Sequence, residues 1–178
     1  MKTNSRLPIA VIGLLFALLI PAYATPTTKQ ELASVNYLVG TWNCDHTVGD
    51  FAGKYRTTYS KALGDMWLKQ TYDFPATTTA GQQEPAITAE TLIGYDERRQ
   101  AWVRFFANSK GQYFAIRMND TGSGWSWKYV SFFKRMTPET PDPDATLTKK
   151  SNTEYVIDGP SYQLNGTRVT EHHMCEKM

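Results

Sequence analysis

Three histidines, two cysteines and two arginines are the residues of this chain whose types and spacing offer chemistry. His46 follows Cys44 by two positions, and His172 and His173 stand shortly before Cys175 at the other end of the chain. Imidazole is the commonest metal ligand in proteins, and Glu171 adds a carboxylate beside the pair, so His46, Glu171 and His173 form a candidate metal or haem edge. The plainer reading of the same residues is a set of partly solvated polar groups near an open end of the fold. Arg104 and Arg117 are candidates for a second role. An arginine that faces an interior must be paired, by Glu90, Asp73, an aromatic face or the carboxylate of an acidic ligand, whereas one that faces outward needs only water. A Ser or Cys nucleophile with an elbow of the Gly-x-Ser-x-Gly type is absent, as are phosphate-loop and dinucleotide signatures.

The first residues decide where such chemistry would take place. Met1–Ala24 reads as a secretory signal peptide: Lys2 and Arg6 without an acid, an apolar run from Leu7 to Ile20, and Ala22-Tyr23-Ala24 as a small-x-small cleavage site. The apolar run is shorter than the roughly 20 residues that a bilayer span requires. No cysteine lies near the cleavage site, so no stable membrane anchor is expected, and the exported domain would run over residues 25–178, periplasmic or secreted. Two of the nineteen Lys and Arg residues belong to the leader, which leaves seventeen positive against seventeen negative charges. A neutral domain gives no support to nucleic acid as a partner. In an oxidising compartment Cys44 and Cys175, with no CxxC pattern, read as a disulfide that sets the first and last strands side by side.

The elements that must position these residues follow from the turn chemistry and the aromatic and β-branched content. Lys29–Leu38 is expected to form one short helix that caps an end of the fold. Strands are expected over 41–48, 54–62, 66–74, 86–95, 100–107, 112–119, 125–133, 145–151 and 154–158, with a long last strand from Ser161 to about Cys175 after a turn at Gly159-Pro160. Residues 76–85 and 137–144 read as loops. The expected fold is all-β: a single antiparallel up-and-down barrel of about nine or ten strands with a short N-terminal helix, a sandwich being the alternative. Because Cys44 and His46 share one face of a strand, as do Cys175 and His173, a disulfide would bring His46 and His173 to the same side of neighbouring strands.

The Leu38-Val39-Gly40-Thr41-Trp42 segment resembles the Gly-x-Trp start of lipocalins and of nitrobindin-like barrels. With Gly64-Asp65-Met66-Trp67 and Gly94-Tyr95-Asp96, it resembles a bacterial family of exported calycin-like proteins catalogued as a domain of unknown function. The resemblance spans nearly all of the exported domain and implies a closed antiparallel barrel with a small-molecule cavity; it transfers no catalytic residue. Nitrobindin-like barrels bind haem through a histidine near the C-terminus, which His172 or His173 matches, but Asn43-Cys44-Asp45 replaces the glycine-rich pattern after the tryptophan, and no cofactor is expected.

Strand faces that combine aromatic rings with arginine would suit a lumen for a small hydrophobic or amphipathic molecule, lined by Trp42, Arg104, Arg117, Trp127 and Tyr129. Two other functions are carried forward: an enzyme using the His46, Glu171 and His173 edge with a metal or haem, and a cell-envelope interaction module working through the proline-rich loops. Nothing in the sequence bears on oligomeric state.

Overall fold

The computed structural model describes residues 27–79, 82–122, 124–128, 134–135, 145–164 and 167–178. The leader Met1–Ala24 and Tyr129 lie outside the described residues.

A helix, α1 (Thr28–Ser34), and a single 3-10 turn (Asn36–Leu38) precede the strands. In chain order these are β1 (Gly40–Val48), β2 (Phe51–Ala62), β3 (Trp67–Phe74), β4 (Thr77–Thr79), β5 (Gln82–Glu84), β6 (Ile87–Asp96) and β7 (Ala101–Asn108). The second half adds β8 (Tyr113–Asp120), β9 (Gly124–Lys128), β10 (Lys134–Arg135), β11 (Ala145–Lys149), β12 (Glu154–Leu164) and β13 (Thr167–Lys177). Ten of them close a barrel in the order β8–β7–β6–β3–β2–β1–β13–β12–β11–β9, with β9 pairing back onto β8. Every barrel pairing is antiparallel and joins strands that are successive among these ten, apart from the β1–β13 seam; β4 and β5 intervene between β3 and β6, and β10 between β9 and β11. Closure removes the open edges that an isolated sheet would expose.

The seam is covalent. Cys44 and Cys175 are register partners with Cα atoms 4.1 Å apart and their sulfurs bonded. The side-chain alternation of the strands then decides inside from outside. On β3, for example, Leu68, Gln70 and Tyr72 are buried, while Lys69 and Asp73 face outward.

One end of the barrel is plugged. Leu32 of α1, Val35 and Leu38 lie buried over Trp42, whose indole N–H donates to the Leu38 carbonyl at 2.7 Å. Below them Trp102 packs against Trp125 and Tyr95, with ring centroids 5.1 and 5.6 Å apart. Polar ties hold the plug in place. Thr27 and Gln30 form a reciprocal capping box at the start of α1. The Glu97 carboxylate, on the β6–β7 turn, accepts from the Thr28 N–H at 2.6 Å and from its hydroxyl at 2.7 Å. The Lys177 ammonium donates to the Tyr37 carbonyl at 2.8 Å.

The short motifs of the chain also meet in space. The Trp67 ring lies on Gly94 so closely that a Cβ there would sit 2.6 Å from it, so only glycine lets this outer-face contact form. Asp96 accepts from the backbone N–H groups of Arg98 and Arg99, which shapes the β6–β7 turn.

Three details differ from the sequence reading. The expected single helix is α1 followed by a tighter 3-10 turn, because the chain leaves helical geometry at Val35. Residues 76–85 contain a small hairpin, β4–β5, apart from the barrel. The break expected at Gly159-Pro160 is a bulge: the β12–β13 register shifts between Asp158 and Ser161, and β12 continues to Leu164. Gly159 supplies the positive φ and Pro160 lacks a ladder N–H, so these residues bend the strand.

Candidate functional site

The end opposite the plug carries the polar groups. His46 on β1 and His173 on β13 are register partners, one step past the disulfide along the inner face, and Glu171 is the next inward position on β13. The two imidazole rings lie face to face with centroids 4.4 Å apart. Both turn an Nε2 edge to the same carboxylate: His173 Nε2 is 3.4 Å from Glu171 Oε2, and His46 Nε2 is 3.8 Å from Glu171 Oε1. The other nitrogen of His173, Nδ1, meets the Tyr55 hydroxyl at 3.0 Å. His46 Nε2 is buried without a hydrogen-bond partner among the described residues. His172, by contrast, points outward and pairs with Asp158 at 2.7 Å.

The electrostatics of this cluster fix its protons. Burial pushes the Glu171 carboxyl up, but its hydrogen bond to His173 and the approach of the His46 ring outweigh that and hold it down to about 2, so it is a carboxylate. Burial drives His173 below the usual histidine range, favouring the neutral ring. Burial also holds the Tyr55 phenol well above its ordinary range. The consistent arrangement is a relay in which the Tyr55 O–H donates to His173 Nδ1 and the His173 Nε2–H donates to Glu171.

A second inward group stands across the lumen. Arg104 on β7 donates to the Tyr72 hydroxyl and lies over the Phe114 ring, 5.8 Å from its centroid. Phe106 and Phe114 stack at 4.6 Å, as do Tyr55 and Phe74. Phe74, Phe106 and Phe114 remain only partly buried, although they face inward.

Between the two ends the barrel is nearly filled. A cavity of about 10 Å³, bounded by Tyr59, Gln70, Tyr72, Ile93, Arg104, Met118, Trp125, Leu147 and Ile157, remains at its middle, room for about one water. Gln70 donates to Thr57, and the Thr57 hydroxyl to the Thr71 carbonyl, so these buried polar groups serve one another. A wider hollow of about 710 Å³ is outside the barrel, where outward residues such as Arg56, Thr71, Asp73, Thr88 and Glu90 border it. It is open to solvent and mixes both signs of charge, which is the look of an ordinary hydrated face.

The five residues expected to line a lumen separate. Arg104 faces inward. Arg117 does not: Arg104 is opposite Ile116 and Arg117 opposite Val103, and cross-strand partners share a face, so Arg117 is on the outside with Val103 and Phe105. The misassignment followed Tyr113, which shares the Arg117 side and stands 41% exposed, its hydroxyl tolerating water. Trp42 is fully buried in the plug, where it closes the barrel and meets no open space. Trp127 holds a register position between Met118 and Ala145, and Tyr129 lies outside the described residues. Glu90 and Asp73, weighed as partners for Arg104, are on the outer face, Glu90 pairing with Lys69 at 2.8 Å. Tyr55, Tyr72, Phe74, Phe106 and Phe114 are not among the residues the sequence singles out for a lumen. The alternation of Tyr55, Thr57 and Tyr59 on β2 was the available signal, since those three share one side.

No family model matches the chain, and no curated protein matches it. Among solved structures, a de novo designed fluorescence-activating β-barrel aligns with 80% of this chain and 94% of its own, at 9% sequence identity and a TM-score of 0.42. That distance leaves it without weight for the site.

Proposed function

We propose that this chain is an exported, calycin-like protein that binds a small hydrophobic or amphipathic molecule at the open end of its barrel. The observation that carries the reading is an asymmetry of the inner face. At the plugged end the inward side chains Trp42, Trp102, Met118 and Trp125 are all at most 2% exposed. At the other end Phe74, Arg104, Phe106 and Phe114 face inward and keep part of their surface accessible. Apolar rings left accessible around one cation are what a site for a molecule with an apolar body and a polar head requires. The disulfide is compatible with an oxidising compartment, and no helix among the described residues is long and apolar enough to cross a membrane.

The test is a native mass spectrum of the protein isolated from its own compartment, set beside a denaturing one, with an apolar fluorescent probe titrated into the emptied protein. A small organic mass released on denaturation, or probe binding lost in a Phe106→Asp, Phe114→Asp variant that keeps its fold, supports the reading. No bound molecule together with no probe binding overturns it.

A further inference from the structure

We infer that His46, Glu171 and His173 form a binding site for one divalent transition-metal ion of the zinc class at the open end of the barrel. The site stands on its own geometry and does not need the organic ligand proposed above.

One ligand atom from each residue can be chosen such that all lie within 4.8 Å of one another. Two donors bound to one ion at 2.0–2.1 Å with tetrahedral angles lie about 3.3 Å apart. The two carboxylate-to-imidazole separations, 3.4 Å to one oxygen and 3.8 Å to the other, are already near that value, and the stacked rings must turn out of parallel for their in-plane Nε2 lone pairs to converge on one ion. His46 Nε2 adds an independent sign. It is buried, faces the carboxylate and makes no hydrogen bond among the described residues, and an unmet polar nitrogen inside a protein is costly unless something meets it.

The surroundings fit as well. Tyr55 holds the far nitrogen of His173, as the outer partners of metal-bound histidines do. On binding, the His173 proton moves from Nε2 to Nδ1, the phenol oxygen becomes its acceptor, and the freed Nε2 lone pair goes to the ion. The disulfide, two residues from each histidine, fixes the two strands relative to each other before any ion arrives. Two imidazoles and a carboxylate select against magnesium and calcium, which take oxygen donors, and in favour of zinc and its first-row neighbours. The cysteines are bonded to each other and contribute no thiolate. Three protein donors leave at least one coordination position for water or another donor, and the partial exposure of all three side chains, 16, 22 and 12%, leaves a path to it.

The experiment is a calorimetric titration of the chelator-treated, disulfide-intact protein with Zn²⁺, repeated with Co²⁺ while recording its visible absorption. We expect one ion per chain, an intensified Co²⁺ spectrum of low coordination number, and loss of both in His46→Ala and in Glu171→Gln, each shown to be folded by near-ultraviolet circular dichroism. Tyr55→Phe should weaken binding by about tenfold, in the range seen for outer partners of metal ligands. His172→Ala should leave it unchanged. The inference is overturned if the folded wild-type protein takes up no stoichiometric ion, or if binding survives in folded His46→Ala and Glu171→Gln. Because the readout is the ion itself, failure here leaves the organic-ligand reading intact, and the reverse also holds.

Discussion

The two ends of this barrel are made from the same ten strands and solve opposite problems. At the plugged end, tryptophans and aliphatic side chains from most of the barrel strands, α1 and the 3-10 turn fill the interior; the Trp42 indole N–H is met by the Leu38 carbonyl, and the Trp102 indole N–H is buried without a partner among the described residues. At the other end the inward positions hold His46, Glu171, His173, Tyr55, Tyr72 and Arg104 among phenylalanines that keep some exposure. Burying a charge or an unmatched polar atom destabilises a fold, so such a set persists where it is either satisfied internally or offered to something else. The plugged end is therefore built as apolar core, and the open end holds the cluster of polar groups.

Substitutions at the two ends, and at the seam that links them, test that division. The largest effect should come from the seam: Cys44→Ser with Cys175→Ser removes a cross-link between positions 131 apart and should lower unfolding free energy by about 4–5 kcal/mol by the chain-entropy relation, read by denaturant titration. At the plugged end Trp102→Ala, at a site 1% exposed, should cost about 3–5 kcal/mol. His46→Ala at the open end should cost under about 1 kcal/mol in metal-free protein, since the ring is partly exposed and its Nε2 makes no bond to lose. If the His46 variant proved as damaging as the Trp102 one, the division would fail.

Two effects away from that comparison refine the picture. Gly94→Ala places a methyl against the Trp67 ring and should destabilise by about 1–3 kcal/mol, and a companion Trp67→Ala should remove most of that penalty in a double-mutant cycle. The smallest effect concerns the plug's tie to Glu97, whose carboxyl is held below its usual range first by the Thr28 backbone N–H and then by the Thr28 hydroxyl. A group with a depressed folded pKa contributes its stability above its unfolded value, here 4.5, and loses it as pH falls below that. Melting temperature measured from neutral pH down through this window should fall slightly less steeply in Glu97→Gln than in the parent. An identical slope would show that the tie adds nothing.

Much of the architecture was legible from residue types. Asn, Asp and Gly clusters mark the β-turns, and a period of two marks the strands, so ten antiparallel strands and the pairing of Cys44 with Cys175 follow from local chemistry. That pairing in turn puts His46 opposite His173, as the shared faces required. The choice of which face turns inward was not legible on β8, where Phe114 and Tyr113 put an aromatic ring on each side. Nor could Trp42 be told from a lumen residue, because a buried plug and a ligand wall select the same side chains.

By itself the sequence determined the class of the fold, the order of its strands and the covalent seam, since turns, alternation and cysteine chemistry are properties of neighbours along the chain. Only the tertiary structure decided which end is closed, that Arg104 turns inward while Arg117 turns out, and that Tyr55 and Glu171 flank His173. Those facts depend on how the register carries around a closed sheet, and a one-residue slip at any strand would have turned each of them to the other side.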